Sequence, residues 1–423
     1  MQPTPEDSAL RAVELILDAT FNFRQKGPEH NFLTGPPQIP KWAHSIVAKL
    51  FFSELGLLQT ARHLRTCGPA YLLNLSIREL DRMITDFVVA NYWLLHSETW
   101  GRSSTASFAK QVSIQTKIRL AMELGASHIL RPRNVLTLFP LVTVEVATDF
   151  DSEVFFLIRP ASLNSERLRR PVPANSLLPE LFPPIPDWTG VRETPAAWLG
   201  IRSPTLSTSK KMRNAILGTI ALLPHPRERH LFTGRKMFGG YITLDDGWTI
   251  GTGMHHTPPL SQNIVINDKD STWLSILASK LTEHGPTARK QLNAIEYYYR
   301  AWALSEIERF PILFMALDAI FGDAAQATQS VVSAIGPVMG STYDQQRLKK
   351  LMSLRASVIH GGAPDVYDSH KYFAYFEKYL TDPIYDLELI AARCLQSVVF
   401  ENTLTSRPHT YAELIREKTG VEV

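Results

Sequence analysis

The sequence predicts an α+β protein that is mainly α. Three observations predict it. Apolar residues recur at helical spacing through the first 130 residues and again from residue 261 onward. Between these stretches, residues 131–260 hold 15 of the 28 prolines, a density that forbids long helices. Short runs of β-branched and aromatic residues flank that proline belt. A chain of 423 residues is long enough for two or three domains. The expected division is a helical N-terminal region (1–130), a small Pro-rich β-containing domain open to a sensing or substrate-selecting role (131–260), and a helical C-terminal domain (261–423).

In chain order, Leu10, Val13, Ile16, Leu17 and Phe21 predict an amphipathic helix over Glu6–Phe23. Trp42–Leu58 and Tyr71–Leu95 continue the same pattern, and Gly101–Ser107 reads as a loop. Leu136–Thr148 and Val154–Ile158 are expected strands. Gly240–Ile250 reads as a hairpin turning at Asp246-Gly247. The expected C-terminal helices are Ser271–Leu281, Ala288–Arg309, Ile312–Phe321, Tyr343–His360, Ser369–Leu380 and Pro383–Asn402. Pro311 is expected to break or kink the helix before it. Asp382 precedes a proline at the first helical position and is an expected N-cap.

Composition narrows the function classes. With 44% hydrophobic and 20% charged residues, wholesale disorder is excluded. The formal net charge is +3, so global charge does not mark a nucleic-acid binder. Residues 261–423 carry 16 basic and 19 acidic residues, so the positive surplus lies in the first 260. Cys67 and Cys394 are too few for a disulfide framework or a four-thiolate zinc site. Cys394 falls on the apolar side of its helix and reads as core. No apolar run reaches the ~18 residues of a membrane span, and the N-terminus lacks the basic region of a signal peptide. A cytoplasmic protein without membrane contact is the expectation.

Phosphate-loop, dinucleotide-turn, HExxH and GxSxG motifs are absent, and no metal or cofactor is expected. The adjacent His255 and His256 read as an exposed loop. The basic cluster His225, Arg227, Arg229, His230, Arg235 and Lys236 reads first as a solvated loop and second as a phosphate-contacting edge. Tyr297, Tyr298, Tyr299 and Trp302 read as packing residues, as do Tyr367, Tyr372, Tyr375 and Tyr379.

One constellation stands above this background. In Leu348–Gly362 the apolar stripe Leu348, Leu351, Met352, Val358 and Ile359 contains Arg355. A cation among buried positions requires an anionic partner or an open cleft. Asp318 lies four residues after Phe314 on the apolar face of its own helix, so Asp318 and Arg355 are expected to meet across packed helices. His360 precedes Gly361-Gly362, a helix stop, at the end where the helix dipole favours a protonated imidazole.

The R-x4-H pattern at Arg355–His360, the following Gly-Gly, and the upstream helix pair AIEYYYRAWALSEIERFPILFMALDAIFGD resemble the HEPN superfamily (higher eukaryotes and prokaryotes nucleotide-binding), in particular its Apea-like branch. The resemblance covers roughly residues 285–402. It implies an up-and-down helical bundle that forms a homodimer, with both motifs facing a shared cleft. It implies a metal-independent endoribonuclease, used in phage defence or toxin-like abortive infection and regulated by an antitoxin or a phage-derived activator. It also implies that His360 moves protons, Arg355 stabilises the phosphoryl oxygens, and Asp318 supports Arg355. On an ideal helix five residues turn Arg355 and His360 about 140° apart, so a loosened last turn or a dimer mate must bring them together. The motif arginine is followed by Ala356, where many active members carry a polar residue. The alternative is therefore a non-catalytic RNA- or nucleotide-binding dimer.

Overall fold

The computed structural model describes residues 5–36, 38–40, 43–101, 105–164, 168, 194–245, 247–323, 327–359 and 365–410. The protein is α+β and mainly α. It forms two compact units, Met1–Asn134 and Val135–Val423.

In the first unit, helices α1 (Pro5–Asp18), α2 (Glu54–Cys67), α3 (Ile77–Thr99), α4 (Phe108–Gln111) and α5 (Ile114–Ala126) accompany a small antiparallel sheet. Its strands are β1 (Thr20–Phe21), β2 (Glu29–Thr34) and β3 (Ile46–Phe52), in the order β1-β3-β2. The sheet corrects the expected helix over Trp42–Leu58. Ala48, Leu50 and Phe52 are buried while Val47 and Lys49 are exposed, a period of two that belongs to a strand. The first helix also stops earlier than expected, because Thr20 and Phe21 pair with Phe52 and Phe51. Ser76 and Glu79 form a reciprocal capping box that starts α3. Of the expected loop Gly101–Ser107, residues 102–104 lie outside the described residues.

The second unit begins with a six-stranded antiparallel sheet. Its strands are β4 (Val135–Leu141), β6 (Phe150–Asp151), β7 (Phe155–Ile158), β8 (Ala197–Ser203), β9 (Gly239–Leu244) and β10 (Trp248–His255). They lie in the order β10-β9-β4-β8-β7-β6. Two further strands, β5 (Val144–Val146) and β11 (Ile264–Ile266), pair in parallel. The expected hairpin is β9–β10, with Leu244 opposite Trp248 and the Asp245 amide donating to the Gly247 carbonyl at 2.9 Å. Asp246 lies outside the described residues, as do 169–193 of the proline belt. Gly200 leaves the middle of β8 bare. A Cβ there would come within 2.0 Å of Phe156 Cζ, so the ring lies flat across the strand.

Helix α6 (Leu206–Ile220) follows the last proline of the belt and is capped by Thr205; no helix was expected there. Then come α7 (Ser271–Thr282), α8 (Pro286–Trp302), α9 (Glu306–Phe321), α10 (Ala327–Met339), α11 (Gln345–Ile359), α12 (His370–Tyr379) and α13 (Pro383–Phe400). The expected helix Ala288–Arg309 is two helices. The break falls at Ala303–Ser305, where the Ser305 side chain caps Glu308, and α9 runs on through Pro311. Helix α10 lies where none was expected. Asp382 caps α13 as expected, its carboxylate accepting from the amides of Ile384 and Tyr385.

One sheet face carries Phe139, Leu141, Phe155, Leu157, Leu199 and Ile201 into a continuous core with α6–α11 and α13. Residues 131–260 are therefore not a separate small domain: their strands and the C-terminal helices share one interior. Leu138, Phe156, Ile158, Trp198 and Ile242 form a second cluster on the opposite face. Helix α13 is buried nearly all round and packs against α7, α8, α9, α10 and α12. Among the described residues no helix is long and apolar enough to cross a membrane.

Candidate functional site

Asp318 stands in the last turn of α9, whose end is closed by the Gly322 amide donating to the Asp318 carbonyl at 2.8 Å. Arg355 stands near the end of α11. Their side chains meet as a two-pronged pair, with Arg355 Nη2 2.5 Å from Asp318 Oδ2 and Nη1 3.4 Å from Oδ1. The guanidinium also lies 5.3 Å from the centre of the Phe314 ring. Phe314 precedes Asp318 by four residues, so helical spacing places ring and carboxylate on one face. The expected meeting across packed helices is what the structure contains. The pair is not sealed: Arg355 is 24% exposed and Asp318 26%. His360, with Gly361 and Gly362, lies outside the described residues.

Helix α13 carries two acidic clusters that the sequence does not predict. Glu388, 3% exposed, accepts from His230 Nε2 at 2.8 Å and from Arg309 Nη1 at 3.2 Å, with Arg229 Nη1 at 3.6 Å. Burial alone would raise the Glu388 carboxyl. The His230 hydrogen bond and the charges of His230, Arg229 and Arg309 outweigh it and hold the group below the usual range. Arg229 is only 1% exposed and also donates to the Tyr298 hydroxyl and to Ser406 Oγ. The stretch around 225–236 is thus not simply a solvated loop, because Arg229 and His230 are anchors of the interior. Tyr298 and Trp302 are packing residues: both are buried, and the Trp302 indole donates to the Arg229 carbonyl.

The second cluster centres on Asp386, which pairs with the Arg347 guanidinium and accepts from the Tyr375 hydroxyl at 2.5 Å and the Tyr343 hydroxyl at 3.2 Å. Burial and the Asp386 charge push the Tyr343 phenol up to about 12. Cys394 is buried, and its surroundings push the thiol up to about 12. A signal for both clusters is present: two carboxylates, two residues apart, within a mainly apolar helix.

His256 corrects the expected exposed loop. It is 6% exposed, its Nε2–H donates to the Gly240 carbonyl at 2.6 Å, and its Nδ1 accepts from Arg213 Nη1 at 3.1 Å. Burial, then the Arg213 charge, hold its pKa down at about 3. In the unfolded chain an imidazole titrates near 6.5. Between those values the unfolded chain takes up a proton that the folded unit refuses, so stability falls as pH falls. Urea midpoints of the full chain should drop from pH 7 to pH 5, above the carboxylate range, and His256→Leu should show a shallower drop. An equal slope in the variant would contradict this assignment.

No protein-family model, curated protein or solved structure matches this chain.

Proposed function

We propose that this chain is a metal-independent endoribonuclease of HEPN type, acting as a homodimer in phage defence or toxin-like abortive infection. The observation that supports it most is the Arg355–Asp318 pair. A guanidinium is oriented by a carboxylate and an aromatic ring near a helix end, yet a quarter of it faces solvent. Met315 and Ile359, three residues before Asp318 and four after Arg355, are 39% and 51% exposed. These apolar side chains flank the pair, where a second subunit would cover them.

In this reading His360 takes the proton from a ribose 2′-hydroxyl. The 2′-oxygen attacks phosphorus, the bond from phosphorus to the 5′-oxygen breaks, and the leaving 5′-oxygen is protonated. The products are a 2′,3′-cyclic phosphate and a 5′-hydroxyl. Arg355 holds the phosphoryl oxygens through charge-assisted hydrogen bonds as negative charge develops.

Purified full-length protein incubated with mixed RNA in excess EDTA should release fragments ending in cyclic phosphate. Intact RNA, with a salt-dependent shift in a binding assay, would instead support the non-catalytic RNA- or nucleotide-binding dimer that Ala356 keeps in play.

A further inference from the structure

Partly or fully buried guanidiniums of the second unit are matched with carboxylates, among them Arg202 with Asp151, Arg229 and Arg309 with Glu388, Arg347 with Asp386, and Arg355 with Asp318. Two cations on α6 are not. Lys210 and Arg213 stand three residues apart, on one face of the helix. Both are partly buried. Among the described residues no carboxylate forms an ion pair with either. The near acid, Glu296, is bound by Arg300 at 2.6 Å and by the Asn214 amide at 3.4 Å.

Neutral groups hold the two cations instead. Arg213 Nε and Nη2 donate to Asn214 Oδ1 at 3.2 and 2.7 Å, and Nη1 donates to His256 Nδ1. The guanidinium lies 5.3 Å from the Phe139 ring centre, and the Lys210 ammonium 4.7 Å from that of Tyr241. Neutral acceptors and ring faces fix position without cancelling charge. Burial and the Arg213 charge lower the pKa of Lys210; burial lowers that of Arg213 by more than Tyr299 and the Glu296 carboxylate, acting through space, raise it. Keeping two like charges together and partly desolvated is costly unless an anion completes the set. One N–H on each terminal nitrogen of Arg213 and three on Lys210 remain for it.

We infer that Lys210 and Arg213 form a phosphate-binding site on α6, separate from the Arg355–Asp318 pair. The ligand group is a phosphate oxyanion, and its source is the backbone of an RNA strand. That choice of source rests on the ribonuclease reading; the site itself does not. The first 260 residues, which contain both cations, also carry the positive surplus of the chain.

The test uses the full chain, a fluorescent RNA with 2′-O-methyl riboses that cannot be cleaved, and inorganic phosphate in calorimetry. Lys210→Ala should weaken RNA binding roughly 3- to 10-fold and reduce the salt slope of log K by about 0.7, one single-strand phosphate contact. Arg213→Gln should weaken it as well, and the thermal midpoint of Lys210→Ala should not fall, because one of two repelling charges is gone. If phosphate binding is lost in Lys210→Ala while RNA affinity stays, the site stands and serves a free phosphate or nucleotide. Unchanged affinity for both probes in both variants, or a wild-type chain that binds neither, overturns the site. RNA cleavage with unaltered binding in both variants removes the site and leaves the ribonuclease reading intact. Phosphate bound at Lys210 with no cleavage of any RNA does the reverse.

Discussion

Replacing Arg355 by alanine should reduce RNA cleavage roughly 100- to 1,000-fold, the usual loss when one pre-positioned donor to a developing oxyanion is removed. Arg355→Lys should recover little of it. An ammonium keeps the charge but not the planar fork that Asp318 grips at both ends. His360→Ala should fall as far as Arg355→Ala, and the double variant hardly further, because both groups serve one step. Asp318→Asn removes only the anchor, so its loss should be smaller, on the order of 10-fold. Misfolding can be set aside by measurement. The pair is partly exposed, so breaking it costs about 1 kcal/mol or less, and circular dichroism with sedimentation should report a folded protein of unchanged oligomeric state. Full cleavage by both Arg355→Ala and His360→Ala would end the proposal.

The largest stability effect is expected at Glu388. Glu388→Gln leaves Arg229 and Arg309, 1% and 8% exposed, without their counter-charge. Breaking one side of a buried pair costs about 3–5 kcal/mol. Urea unfolding of the full chain reads it directly. Arg227→Ala, at an exposed position two residues from Arg229, should stay within about 0.5 kcal/mol of wild type. The sign with pH is also set. The folded carboxyl titrates below its unfolded value, so its contribution is fully present above roughly pH 4.3 and is lost as pH falls through the folded value. The gap between wild type and Glu388→Gln should therefore narrow on acidification. A gap that stays constant to pH 3 would show that Glu388 contributes shape and not charge.

The Asp318–Arg355 contact was legible in the sequence because each charge interrupts an apolar stripe at helical spacing. Two misplaced charges on neighbouring helices have few ways to be satisfied other than by each other. The Glu388 cluster carried the same local signal but no local partner. Its cations come from residues 229, 230 and 309, brought together only by the packing of distant segments. A basic run such as His225–Lys236 looks solvated until one knows that a carboxylate lies beneath it. The burial of His256 is hidden from the sequence for the same reason: its acceptor and donor, Gly240 and Arg213, are a strand and a helix away. The shared core of strands and C-terminal helices was hidden as well. Proline density marks where helices stop, and says nothing about which layer a sheet face is pressed against.

Helix α13 supplies both carboxylates, Asp386 and Glu388, to cations fixed earlier in the chain. During synthesis it is the last of these elements to leave the ribosome. A nascent chain exposed only as far as Tyr379 holds Arg229, Arg309 and Arg347 without their counter-ions. Its closure awaits emergence of residues near 400, so the strands of this unit must wait for a helix translated long after them.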